Sequence, residues 1–140
     1  MRVIISAGGT GGHIYPALAI INKIKEFEPD SEFLYIGTHN RMEKDLIPEM
    51  NIPYEAIEVT GFDRKISLDN IKNLTIGNIK TLSNFLKARQ RCLKIIKEFN
   101  PDIVIGAGGY VTPPVIWAAK KLGHKTFNLV AYNPWTNTNT

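Results

Sequence analysis

The chain has 140 residues, 44% hydrophobic and 21% charged, and its 17 Lys and Arg against 13 Asp and Glu give a formal net charge of +4. That length suits one domain with a single core and is short for two full α/β lobes, and the composition excludes a disordered chain. A single cysteine, Cys92, excludes an intrachain disulfide, fits a reducing compartment and sits among helical apolar positions as a small core residue.

The first predicted strand is Val3-Ile4-Ile5, a β-branched run that ends at Gly8-Gly9-Thr10-Gly11-Gly12. Ala17, Leu18, Ile21 and Ile24 then follow helical spacing, with Pro16 expected in the first turn. Phe33 to Ile36 predicts a second strand ending at Gly37, and Met42, Leu46, Ile47 and Met50 mark a second helix. Tyr54 to Val59 predicts a third strand closed by Gly61. Ser67 to Phe99 predicts a long helical region in two pieces, broken at Gly77-Asn78 and stopped by Pro101. Ile103-Val104-Ile105 is a fourth buried strand running into Gly106-Ala107-Gly108-Gly109, Pro113 to Leu122 a further helix, and Thr126 to Val130 a fifth strand. This alternation predicts a doubly wound α/β fold with a Rossmann-like parallel sheet covered on both faces. Residues 1–130 are expected to form the domain, and 131–140, rich in Asn and Thr, a tail, loop or truncated boundary.

Both glycine clusters follow strands and precede helices, which places them at the carboxyl edge of the sheet, where open α/β folds hold ligands. Glycine lets the backbone approach a ligand closely, and the free N–H groups of a helix start hold anions, so the pair points to one shared phosphate site; taken singly, each is equally a tight turn. A dinucleotide fingerprint is disfavoured, because Ile14 stands where the third glycine after Gly9 and Gly11 belongs and the second strand ends in Gly37-Thr38-His39 with no acid. A P-loop fails because no Gly-Lys-Ser/Thr follows either cluster. His13, at the start of the first helix, reads as a phosphate ligand, a general base or a capping residue. Tyr110 offers a hydroxyl and a stacking face, or simple packing. His13, His39 and His124 are scattered, so no metal site is indicated.

From Lys72 to Lys97 the chain carries Lys80, Lys87, Arg89, Arg91 and Lys94 with no acid before Glu98. Such a stretch attracts polyanions, or is a solvated helix face. Nucleic-acid binding would rest on charge alone, with no aromatic interleaving. The glycine loop follows Met1 too soon to leave room for a signal-peptide apolar region, and no run approaches the roughly 18 apolar residues of a span, so a cytosolic protein with at most peripheral membrane contact is expected.

Ser6-Ala7-Gly8-Gly9-Thr10-Gly11-Gly12-His13-Ile14-Tyr15-Pro16-Ala17 and Gly106-Ala107-Gly108-Gly109-Tyr110-Val111 resemble the two glycine loops of the MurG family, and Tyr35-Ile36-Gly37-Thr38 with Arg41-Met42-Glu43 resembles its second strand and following helix. The resemblance runs to about Phe127 and implies the N-terminal lobe of a GT-B glycosyltransferase. It implies transfer of N-acetylglucosamine from UDP-GlcNAc to the C4 hydroxyl of a lipid-linked undecaprenyl-diphospho-muramyl-pentapeptide, with inversion and with no cofactor. On that basis Gly9, Thr10, Gly11, Gly12, Gly108 and Gly109 would surround the acceptor diphosphate, His13 would be the candidate base and Tyr110 would shape the cleft. The donor would bind a second lobe, without which this chain would be inactive. Lys72, Leu74, Ile79, Lys80, Leu82, Phe85 and Leu86, with Lys87 and Arg89, would dock on the cytoplasmic face of the bacterial inner membrane or, for some of the apolar ones, pack on the sheet. The chain departs from the family at Leu129-Val130-Ala131-Tyr132, where a His-Glu-Gln-Asn segment is usual. The alternative reading is a non-catalytic acceptor-binding and membrane-docking subunit that recruits a separate UDP-GlcNAc-binding chain.

Overall fold

The computed structural model describes residues 1–9, 11–59 and 76–129, with residues 76–82 described by their backbone alone. Among the described residues five strands alternate with four helices: β1 (Arg2–Ser6), α1 (Gly11–Phe27), β2 (Glu32–Gly37), α2 (Glu43–Glu49), β3 (Tyr54–Ala56), α3 (Ile76–Phe99), β4 (Ile103–Gly106), α4 (Thr112–Lys121) and β5 (Lys125–Asn128). All strand pairings are parallel, in the order β3-β2-β1-β4-β5. The doubly wound expectation holds in this Rossmann-like half.

β1 lies at the centre and is apolar on both sides for that reason. Ile4 joins Leu34, Ile36 and Val104 under α3 and α4, while Val3 and Ile5 join Phe33, Tyr35 and Ile105 under α1 and α2. Val3, Ile4 and Ile5 are wholly buried, and each such side chain contributes about 1.5–3 kcal/mol through lost apolar exposure. α1 faces the sheet with Ile14, Ala17, Leu18 and Ile21, and α3 with Ala88, Cys92, Ile95 and Ile96, the period of one helical stripe. Cys92 is thus a core residue, as its spacing predicts.

Helix ends follow their local chemistry. α3 stops where Asn100 takes φ 51 before Pro101. α4 closes with Gly123 at φ 80, its N–H bonded to Lys120 O and the next N–H, of His124, to Ala119 O, which satisfies two of the otherwise free carbonyls.

Some boundaries differ from expectation. α1 begins at Gly11, so Pro16 falls beyond the first turn; its missing N–H removes one bond of the helix, and the helix continues because Ala17, Leu18 and Ile21 bury behind it. Gly77-Asn78 lies in the first turn of α3 and does not break it, since glycine's cost of about 1 kcal/mol is small beside the core stripe downstream. β3 begins at Tyr54 as expected but ends at Ala56, short of Val59, and β5 covers 125–128, starting just ahead of the expected Thr126. The expected helix from Ser67, the turn at Gly61, Val130 and the tail 131–140 lie outside the described residues.

Candidate functional site

In this strand order the chain leaves β1 toward β2 and β3 and returns through α3 to β4 on the other side of β1. β1 and β4 are therefore the switch point of the sheet, the crevice in which such folds bind ligands. Ser6 pairs with Gly106, so the two glycine loops leave adjacent strands at the same level.

The loops meet directly. Gly8 N–H donates to Gly108 O at 3.2 Å, and Ala107 N–H donates to Ser6 O at 2.8 Å. Gly108 and Gly109 have φ of 115 and 93, conformations that L side chains rarely adopt. A Cβ on Gly109 would collide with the carbonyl oxygen of Gly8, and one on Gly108 with Nδ1 of the His13 ring. The histidine of the first loop thus lies close against the second. Thr112 Oγ1 adds a bond to Gly108 O at 3.0 Å.

The expected site residues separate by environment. Gly9, at φ 94, borders open space. Gly11 and Gly12 form the first turn of α1, where backbone N–H groups have no helical partner. His13 is half-buried beside them, and Tyr110 is 52% exposed at the rim. Tyr15, 60% exposed, lies with its ring 2.9 Å from the position a Gly11 Cβ would take, so a second aromatic flanks the cleft. Thr10 lies outside the described residues.

Beneath the first loop is a polar layer that sequence reasoning missed. Glu43, the first residue of α2, is wholly buried. Its Oε1 accepts from Thr38 Oγ1 at 2.7 Å and Thr38 N–H at 3.2 Å, and its Oε2 from Gly9 N–H at 3.4 Å. Tyr35 Oη donates to Ala7 O at 2.8 Å and Tyr54 Oη to Thr38 O at 2.6 Å, the rings stacked 5.8 Å apart. Burial first, then the charge of Glu43 and that of Tyr54, pushes the Tyr35 hydroxyl well above its ordinary range; burial, Glu43 and Asp45 do the same for Tyr54. Both remain protonated donors. One signal was present in the sequence: Glu43 stands four residues before Ile47 and three before Leu46, on the face of α2 that turns inward.

The expected docking residues are divided. Leu86 is 48% exposed, off the core stripe of α3, and Phe85 is half-buried. The Arg89 guanidinium lies 3.4 Å from the Trp117 ring centre and 5.8 Å from that of Phe85, with Lys121 5.1 Å from Trp117, so cations and half-buried aromatic rings stack where α3 meets α4. Lys72 and Leu74 lie outside the described residues, as do the side chains of Ile79, Lys80 and Leu82. No described helix is long and apolar enough to cross a membrane.

Comparison with known proteins agrees with this fold. A Bacillus thuringiensis protein named UDP-N-acetylglucosamine--N-acetylmuramyl-(pentapeptide) pyrophosphoryl-undecaprenol N-acetylglucosamine transferase 2 is 54% identical over 126 residues, 90% of this chain and 32% of its own length. A Bacillus pumilus transferase of the same name is 55% identical over 122 residues, 87% of this chain and 31% of its length. The chain thus spans about a third of the curated relatives it matches. Among solved structures, Acinetobacter baumannii MurG superposes with a TM-score of 0.72 at 29% identity, over 91% of this chain and 34% of that one. The UDP-GlcNAc 2-epimerase of Methanocaldococcus jannaschii superposes at 0.61 with 19% identity, over 99% of this chain and 34% of that one, a likeness of fold alone. The pattern describing the glycosyltransferase family 28 N-terminal domain matches residues 3–128, nearly the whole of the described sheet and both glycine loops, and the chain belongs to that family.

Proposed function

We propose that this chain is the acceptor-side half of an inverting N-acetylglucosaminyltransferase that acts on a lipid-linked muramyl-pentapeptide diphosphate. The observation that carries the reading is the junction of the two glycine loops at the switch point, with His13 set against Gly108. An anion at this junction faces the free N–H groups and positive end of α1, which favours the acceptor diphosphate. The names of the Bacillus relatives supply the substrate pair, an N-acetylmuramyl-pentapeptide pyrophosphoryl-undecaprenol acceptor and UDP-N-acetylglucosamine.

The acceptor's C4 hydroxyl is a weak nucleophile while protonated. In this reading His13 takes that proton as the oxygen attacks the anomeric carbon of the donor sugar, and the bond from that carbon to the UDP oxygen breaks on the opposite face. UDP leaves with the bonding pair, its charge stabilised by groups of the donor-binding half. Tyr15 and Tyr110 would wall the acceptor sugar at the rim.

The outer surface of α3 and α4 would bring the domain to the lipid. Leu86, Phe85 and Trp117 supply apolar contact, and Arg89, Lys87 and Lys121 supply charge for anionic headgroups, in keeping with peripheral attachment at the cytoplasmic leaflet.

The test is titration of the chain with liposomes carrying or lacking the lipid-linked muramyl-pentapeptide diphosphate, for the unsubstituted protein, His13→Ala and Gly11→Ala. Among the described residues a Cβ at Gly11 meets the ring of exposed Tyr15, so this variant shifts a side chain at the rim of the cleft and leaves the core intact. Acceptor-dependent binding weakened by both substitutions is expected. Equal binding to both kinds of liposome would sink the reading.

A further inference from the structure

Two consecutive peptide planes carry the junction between the loops, and each is held at both of its ends. In the Ala7–Gly8 peptide the carbonyl accepts from Tyr35 Oη at 2.8 Å and the N–H donates to Gly108 O at 3.2 Å. In the Gly8–Gly9 peptide the carbonyl lies against the Cα of Gly109, where no Cβ fits, and the N–H donates to Glu43 Oε2. A trans peptide is planar with its C=O and N–H opposed, so fixing both ends fixes the plane. The N–H groups of Gly8 and Gly9 are thereby used inside the protein, whereas those of the first turn of α1 have no helical partner.

Glu43 ties the first loop to the end of β2. It is wholly buried and touches no ligand space, and its other oxygen is fixed by two bonds to Thr38 at the end of β2. The close approach is mutual: a Cβ on Gly8 would lie 2.7 Å from Glu43 Oε1, and one on Gly37 2.8 Å from its Cγ. Glycine at 8 and 37 makes room for the carboxyl group. We propose that Glu43 is the positioning residue of the acceptor site: by holding the Gly9 N–H it sets the Gly8–Gly9 peptide against the second loop, and so aims the free amides of α1 at the acceptor diphosphate. This rests on the function proposed above and adds to it a residue that never meets substrate.

Glu43→Gln tests it at constant volume. If the amide oxygen keeps the two Thr38 bonds, the NH2 group faces the Gly9 N–H, donor against donor; if it flips, the Thr38 N–H loses its acceptor and the Thr38 hydroxyl must turn round to accept from the NH2. In the ¹⁵N–¹H spectrum of the 140-residue chain, Glu43→Gln is expected to displace the Gly9 and Thr38 amide resonances and speed exchange at Gly9, leaving Asn128 on β5 in place. Affinity for liposomes carrying the muramyl-pentapeptide diphosphate should fall about tenfold, the scale of one lost hydrogen bond to a charged group, with the affinity of the folded fraction compared after thermal melts. Should Glu43→Gln fail to fold, Thr38→Val removes one bond to the carboxyl group and is expected to move the same two readouts in the same direction by less. Unchanged Gly9 resonance and unchanged affinity in a folded variant would overturn the proposal. A parent chain without acceptor-dependent binding overturns the function reading and this one with it; a parent that binds, is weakened by Gly11→Ala and is indifferent to Glu43→Gln overturns this one alone.

Discussion

Glycines in the two loops carry different loads, and alanine distinguishes them. Gly9 borders open space, so Gly9→Ala bears only the conformational penalty of its positive φ, about 1–2 kcal/mol. At Gly109 the new Cβ meets the backbone carbonyl of Gly8, which cannot rotate away, so Gly109→Ala should cost more than about 3 kcal/mol or part the loops. Urea midpoints for the two variants test the order, and equal midpoints would refute the close approach. Cys92 gives a prediction in pH: burial pushes its thiol up to about 12 from 9.0, against a smaller lowering by Arg91. Between those values the unfolded chain loses a proton that the folded chain keeps, so stability falls as pH rises, by up to about 1.4 kcal/mol per unit. Cys92→Ala should flatten the decline from pH 9 to 10, before the tyrosines join it; an unchanged slope would argue against a buried thiol. The glycine clusters, with His13 and Tyr110 beside them, could be placed at the carboxyl edge from the sequence, because glycine after a buried apolar run announces a turn and the neighbouring residues share that edge. Which glycines are clamped was not, since Gly8 and Gly108 meet across about a hundred residues of chain and no local pattern records such a contact. Glu43 was overlooked for a related reason, because a carboxyl group on an amphipathic helix normally faces water.

α3 shows one element serving two surfaces. Ala88, Cys92, Ile95 and Ile96 form the stripe that packs under the sheet, while Leu86 stands off it. Ile96→Ala should therefore cost about 2–5 kcal/mol, a cavity being left in a packed core. Leu86→Ala should stay within about 0.5 kcal/mol while weakening adhesion to anionic vesicles. Thermal melts and vesicle sedimentation separate the two effects, and a Leu86 variant that unfolds like Ile96→Ala would place that residue in the core. Strand and helix identities were readable because β-branched runs and helical stripes are local signals. Their ends were not, because packing overrides local cost: α1 continues through Pro16 and α3 through Gly77-Asn78 where propensity argues for breaks. The apolar run of α3 could not tell which residues face the sheet and which face outward, as both faces carry large side chains. Only the placement of α3 against the sheet and α4 resolved that.

At the scale of the whole molecule, the order β3-β2-β1-β4-β5 brings two separate sequence motifs to one crevice, because the chain's return beside β1 sets the second loop against the first. The crevice holds groups suited to an anion and a base, yet the chain spans about a third of the Bacillus transferases it matches, and transfer also needs a place for the nucleotide sugar. On the proposed reading, joining residues 1–128 to the remaining part of the 54% identical Bacillus thuringiensis relative would supply it. The proposed roles then predict different kinetics. His13→Ala removes the proton acceptor and should lower kcat about 10²–10⁴-fold with little change in acceptor KM. Gly11→Ala crowds the diphosphate and should raise acceptor KM while leaving donor KM alone. Were His13→Ala instead to raise acceptor KM at constant kcat, the ring resting on Gly108 would be a binding group and the base would have to come from the other half.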